Sequence, residues 1–180
     1  MKRWIMVVVL LLLFTTGVFA RMISFGLGST LAFPQDSEVE LGGELRVGFY
    51  FLEATAVSFF KSETTTTLYT GGVAFELLDL IRVGAGMGAL TQLNYSEGFK
   101  AWRYMDEEFH YVTADSLDEA FLKGMFHYRV YLETAVSDFT IGLTYQVPTS
   151  GLTLTDFDLQ KLAPLWHQGK FGISTLYWLF

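Results

Sequence analysis

Beyond residue 20 the chain alternates between apolar and polar side chains over long stretches. From Val39 to Phe51 one parity reads Val39, Leu41, Gly43, Leu45, Val47, Phe49, Phe51, and the other reads Glu40, Gly42, Glu44, Arg46, Gly48, Tyr50. A period of two is the mark of a β-strand with one apolar and one polar face. The same sorting returns at Ile81–Tyr95 and Phe121–Glu133, and at 23–33, 69–77 and 139–147. With a less regular segment around Ala54–Phe60 and the closing stretch, the pattern predicts eight strands, near 22–33, 39–51, 54–61, 67–77, 80–95, 121–134, 138–147 and 169–180. Most exceed the usual strand of roughly 5 to 6 residues. A tilted strand that crosses a membrane needs about 9 to 11.

The predicted connections alternate in length. Those after the second, fourth and sixth strands are tight, near 52, 78 and 135–138, and those after the first, third, fifth and seventh are longer. An antiparallel up-and-down meander with short turns at one end and long loops at the other fits a transmembrane β-barrel with both termini on the short-turn, periplasmic side. A soluble lipocalin-like barrel is the rival, with its faces reversed. Residue size separates the two. The polar parity carries Gly26, Gly28, Gly42, Gly48, Gly72, Gly84, Gly86, Gly88, Gly142 and Gly172 beside long charged groups. Glycines make room inside an eight-stranded barrel, whose interior is just wide enough for side chains. On a water-facing surface they would only weaken the strands. Gly43, Gly71 and Gly124 fall on the other parity.

Composition adds an export signal. Lys2 and Arg3 precede the apolar run Trp4–Phe14, and Val18 and Ala20 stand at the small-residue positions before a cleavage site. Residues 1–20 therefore read as a secretory signal peptide and 21–180 as one barrel domain. The apolar run is too short for a membrane-spanning helix, which needs roughly 20 residues. Loss of Lys2 and Arg3 leaves ten basic against 19 acidic side chains, a formal charge of −9. That balance argues against nucleic acid as a partner. No cysteine is present, so strand pairing and packing must hold the exported chain together.

The last strand carries a family resemblance. Leu176, Trp178 and Phe180 alternate up to the final residue, and such a chain resembles the small eight-stranded bacterial outer-membrane barrels of the OmpX and OmpA-transmembrane-domain type. The resemblance implies residence in the outer membrane against lipid and lipopolysaccharide. It also implies insertion by the outer-membrane assembly machinery, with Leu176, Trp178 and Phe180 as its signal. Ser174 and Gly172 depart from the family pattern, and Phe171, Ile173 and Tyr177 form a competing apolar parity. Either a bulge changes faces, or the last turns are buried on both sides.

Chemistry is sparse. The polar parity places Glu40, Glu44, Glu76 and Glu133 inside with Arg46, Arg82, Lys123 and Arg129, and an unpaired charge there is disfavoured. A mutually neutralised plug is expected, the alternative being a small pore gated by rearrangement of these pairs. His127 stands among these charges as a candidate general base. Some small outer-membrane barrels are lipid A deacylases that pair a strand histidine with a serine two residues later, and here that position is Arg129. No Gly-x-Ser-x-Gly, His-Glu-x-x-His or phosphate-loop pattern occurs, so no enzyme and no cofactor are expected. His110 and His167 fall in the long connections without further clustered metal ligands.

The stretch 96–119, SEGFKAWRYMDEEFHYVTADSLDE, holds seven acids and two bases together with Trp102, Tyr104, Phe109 and Tyr111. It reads as a solvated acidic loop, as a hairpin raised above the membrane with an edge for an extracellular partner, or as two further membrane strands that would make ten.

Overall fold

The eight alternating segments pair into one closed ring. The computed structural model describes residues 23–179 except 36, 37, 78, 79 and 106. The segment 1–20, expected to be a signal peptide, and Phe180, of the expected assembly signal, lie outside the described residues. The strands are β1 (Ile23–Phe33), β2 (Glu40–Phe49), β3 (Leu52–Phe60), β4 (Thr64–Leu77), β5 (Ile81–Asn94), β6 (Gly98–Met105), β7 (Glu108–Ala114), β8 (Phe126–Val136), β9 (Phe139–Pro148) and β10 (Lys170–Trp178). The ring runs β1–β2–β3–β4–β5–β8–β9–β10 and closes where β10 pairs antiparallel with β1, from Gly26 opposite Trp178 to Phe33 opposite Phe171. Strands β6 and β7 lie outside it, as a hairpin that extends the upper end of β5 through Thr91–Asn94.

The faces are those of a membrane barrel. On β2 the buried positions are Gly42, Glu44, Arg46 and Gly48, and the exposed ones are Leu41, Leu45, Val47 and Phe49. Along β9, Phe139, Ile141 and Leu143 are exposed while Thr140, Gly142 and Thr144 are buried. Leu143 is 62% exposed and Arg46 is 0% exposed, the reverse of a water-soluble core. The outer wall has a belt of Leu27, Leu31, Val83, Leu132 and Ile173, with Phe49, Phe51, Phe75 and Phe139 toward the short-turn end and Phe33, Phe60 and Phe171 toward the other. Aliphatic residues between two aromatic girdles are what a strand needs to sit in a bilayer. The 11 residues of β1 extend roughly 33 Å, and a tilt of about 45° makes that a span of roughly 23 Å across the membrane.

Glycines on the inner face allow the strands to curl this tightly. A Cβ on Gly88 would lie 1.7 Å from the backbone oxygen of Tyr69, whereas a Cβ on the outward Gly71 would meet nothing within 4 Å. Gly88→Val is therefore expected to destabilise the barrel by about 1–3 kcal/mol or more, and Gly71→Val to be tolerated. The urea midpoint of the folded band in unheated gels reads both. Equal midpoints for the two variants would contradict the assigned faces.

Three boundaries differ from the sequence expectation. The segment 121–125 is not the start of a strand, because a helix, α1 (Leu117–Lys123), ends within it and β8 begins only at Phe126. Ser116 caps that helix by accepting from the Glu119 amide at 3.3 Å, and the Glu119 carboxylate accepts from the Asp115 amide at 2.6 Å. Ser116-x-x-Glu119 is the sequence of a capping box, with the glutamate reaching the amide one residue before the cap, and it outweighs the short alternation of Leu122, Gly124 and Phe126. The β2–β3 turn is Tyr50–Phe51, with Tyr50 at φ 55°, so Leu52 and Glu53 belong to β3 and not to the turn. The β3–β4 connection shrinks to Lys61–Glu63, since Thr64–Thr66 pair with Phe60, Phe59 and β5. The described ends of the chain, Ile23 and Leu179, lie at the same end as the short turns, as the meander requires.

Candidate functional site: the barrel lumen and its mouth

Strand β2 carries Glu44 and Arg46 inward, and the strands around it bring the opposite charges. Arg46 lies at the centre of the lumen, bonded through Nε to Glu44 and through Nη2 to Glu133. Its Nη1 donates to the second oxygen of Glu133 at 3.0 Å, so the Glu133 pair is bidentate. Arg129 on β8 donates to Glu44 at 2.7 Å, and Ser174 on β10 donates to Glu133 at 3.3 Å. The Arg46 guanidinium also sits 4.1 Å above the ring of Tyr131, whose hydroxyl donates to Glu53 at 2.8 Å. Arg82 extends the network downward, donating to Glu53 at 2.5 Å and lying 4.3 Å from the ring of Trp178. Glu44, Glu53 and Glu133 thus equal Arg46, Arg82 and Arg129 in number and oppose them in sign.

The structure gathers Glu44, Arg46, Arg82, Arg129 and Glu133 into this layer as their parity predicts. Glu76 sits apart at the short-turn rim, 3.8 Å from Arg82 and half exposed. Lys123 is the misplaced member. It lies on α1 outside the barrel and pairs with Glu119 at 2.5 Å, one helical turn away. Glu53 and Tyr131 are the members that sequence reasoning missed as site residues. The Glu53 signal was present, since the parity of Thr55 and Val57, extended one step back, reaches it.

Leu176 and Trp178 point into the lumen, fully and nearly fully buried, and Phe171, Ile173 and Tyr177 take the outer face. Strand β10 keeps unbroken register with both neighbours from Phe171 to Tyr177. The lipid-facing parity of the last strand is therefore the competing one, and no bulge is needed to explain it. Trp178 is apolar yet inward because its ring covers Arg82.

At the long-connection end Glu40 accepts from Lys61 and from Lys170, each at 2.9 Å. Lys170 also lies 4.3 Å over the buried ring of Phe59. His127 is buried here, with Nδ1 3.2 Å from the Met125 carbonyl oxygen. Above them leans the β6–β7 hairpin, whose Trp102, Tyr104, Phe109 and Tyr111 share one face. Trp102 packs on Phe109 at 5.3 Å and on Tyr111 at 4.7 Å, and Tyr104 on Phe109 at 5.1 Å. Trp102, Phe109 and Tyr111 line a mouth cavity together with residues from the far side of the barrel such as Pro34 and Lys170. The stretch 96–119 is therefore an ordered hairpin and the start of a helix, neither a solvated loop nor two further strands of the ring. Helix α1 packs its Phe121 against Tyr69 on the outer wall, 6.0 Å between ring centres. His110 lies on β7 and His167 in a short 3₁₀ turn, Trp166–Gln168. Among the described residues no three histidines, aspartates or glutamates come together as a metal-holding group.

No protein-family model matches the chain, and no curated protein matches it. Solved structures do. A de novo designed transmembrane β-barrel superposes with a TM-score of 0.53 at 11% identity, over 87% of this chain and 95% of that one. A second de novo designed barrel, solved by solution NMR, gives 0.51 at 11% identity over 87% and 94%. Ail, the attachment invasion locus protein of Yersinia pestis, gives 0.42 at 12% identity over 87% and 95%, a score that adds nothing to the fold. The chain has the fold of an eight-stranded transmembrane β-barrel.

Proposed function

We propose that this chain is an integral outer-membrane barrel of a double-membraned bacterium, a non-catalytic membrane anchor that works at the cell surface through its long-connection end. The observation that carries the reading is the contrast between the two halves of the molecule. Buried glutamates and arginines pair across the middle of the lumen, while the long connections build hairpin, helix and loop at one end of the barrel. Three arginines locked against three glutamates leave no free charge to pass an ion along, which favours a plug over a pore. His127 has Arg129, not a nucleophile, two residues on, and this supports a role other than catalysis. In this orientation both termini face the periplasm. The outer wall meets lipid and lipopolysaccharide, and the assembly machinery inserts the chain through its last strand. The outer edge of β7 has no strand partner among the described residues, and it is the place for an extracellular partner to add a strand.

The test is electrophoretic mobility of the detergent-folded chain, unheated against boiled, followed by planar-bilayer recording. The expected results are a heat-dependent shift and no stepwise conductance. Steps of uniform size would replace the plug with a pore, and a chain soluble in plain buffer without a shift would replace the membrane barrel with a lipocalin-like one.

A further inference from the structure

The cavity under the hairpin, about 280 Å³ in volume, has the makings of a binding site that the plug and the anchor do not use. Gln146 on β9 is only 3% exposed, and its Oε1 has no hydrogen-bond partner among the described residues. A buried polar atom in that state calls for a partner. His127, beside it in the lining, donates from Nδ1 to the Met125 carbonyl oxygen, which makes its Nε2 an acceptor. The opposite wall is the aromatic face of Trp102, Phe109 and Tyr111.

Charge narrows the class of ligand. Glu40 is bonded to both Lys61 and Lys170, so every charged side chain of the lining already has an opposite partner. An anion or a cation would have to break one of these pairs to find a charge of its own. A purely apolar molecule would leave Gln146 Oε1 unsatisfied, which costs roughly 1–3 kcal/mol. A neutral ring bearing hydroxyls meets both demands, with O–H groups for the two acceptors and a C–H face for the aromatic wall. The volume is just under the roughly 300 Å³ at which pockets for drug-sized ligands begin, which selects a small ligand.

We propose that this vestibule binds a single neutral sugar ring, free or at the end of a glycan. The proposal rests on the surface-interaction reading above and deepens it by naming the ligand class.

The experiment uses the mature chain folded in an amine-oxide detergent, which carries no sugar headgroup, with heat-dependent mobility checked first. Saturation-transfer NMR is then run with glucose, galactose, mannose and N-acetylglucosamine, each as free sugar and as methyl glycoside, with glucuronate and choline as charged probes. The expected result is saturable transfer to at least one neutral ring, weakened tenfold or more by Gln146→Leu and by Trp102→Leu while the heat shift remains. Equal response to the methyl glycoside places the site at a glycan end, and loss of response with the glycoside limits it to free sugar. No transfer to any neutral ring, an unchanged response in Gln146→Leu, or preference for glucuronate or choline would overturn the proposal. A retained heat shift in that event leaves the barrel standing, whereas a missing shift removes the reading beneath it.

Discussion

Arg46→Leu is expected to destabilise the barrel by about 3–5 kcal/mol, the cost of removing one partner from a buried ion pair. The side chain is 0% exposed and holds Glu44, Glu133 and, at 3.9 Å, Glu53. Once it is gone, Glu44 keeps Arg129, but Glu133 keeps only the Ser174 hydroxyl. A carboxylate left nearly alone inside a barrel cannot escape to water without opening the strands. The double variant Arg46→Leu with Glu133→Gln removes the stranded charge and is expected to recover most of the loss, because a neutralised buried pair is often no less stable than the ionic one. The urea midpoint of the heat-modifiable band measures both. A single variant as stable as the parent chain would mean that the lumen is wet and its ion pairs are loose.

Deleting residues 178–180 is expected to remove the folded barrel from the outer membrane while export across the inner membrane continues. Trp178 is the last residue of the closing pair with β1, and its amide donates to Asp138 at 2.8 Å. The Leu179 amide donates to Phe25 at 2.9 Å. The deletion opens this end of the β1–β10 seam, and backbone groups without partners in hydrocarbon cost several kcal/mol each. It also uncovers Arg82, which loses the Trp178 ring. Trp178→Ala keeps the backbone pairing and is expected to lower stability without abolishing insertion. Fractionation of cells expressing each variant decides the matter, and normal outer-membrane levels of the truncated chain would contradict the account.

The strands were legible because their environment has a period of two. On β2 each residue meets either lipid or lumen, so Leu41, Leu45 and Val47 could be separated from Glu44 and Arg46 by parity alone. The site followed from the same parity, since only charges facing one another in a narrow lumen can neutralise. What was lost lies where the period changes or ends. Tyr50 and Phe51 make a turn without glycine, asparagine or proline, so the turn was read two residues late and Glu53 went with it. At 117–123 a helix takes over, and its evidence was a cap rather than a period, which put Lys123 on the wrong element. At Leu176 and Trp178 an apolar pair faces inward, and nothing local distinguishes a residue that covers Arg82 from one that meets lipid. The mouth cavity depends on how a hairpin leans over the ring, a tertiary fact that no local pattern carries.

The central claim is that the polar face is inside and the apolar face meets lipid. The chain has no cysteine, so single cysteines placed along β9 at residues 140, 141, 143, 144 and 145 and spin-labelled in lipid vesicles test it directly. Labels at 141, 143 and 145 are predicted to collide with dissolved oxygen and not with a water-soluble nickel chelate, and labels at 140 and 144 to be shielded from both. Chelate access at 141 and 143, with oxygen access at 140 and 144, would turn the barrel inside out and contradict the account.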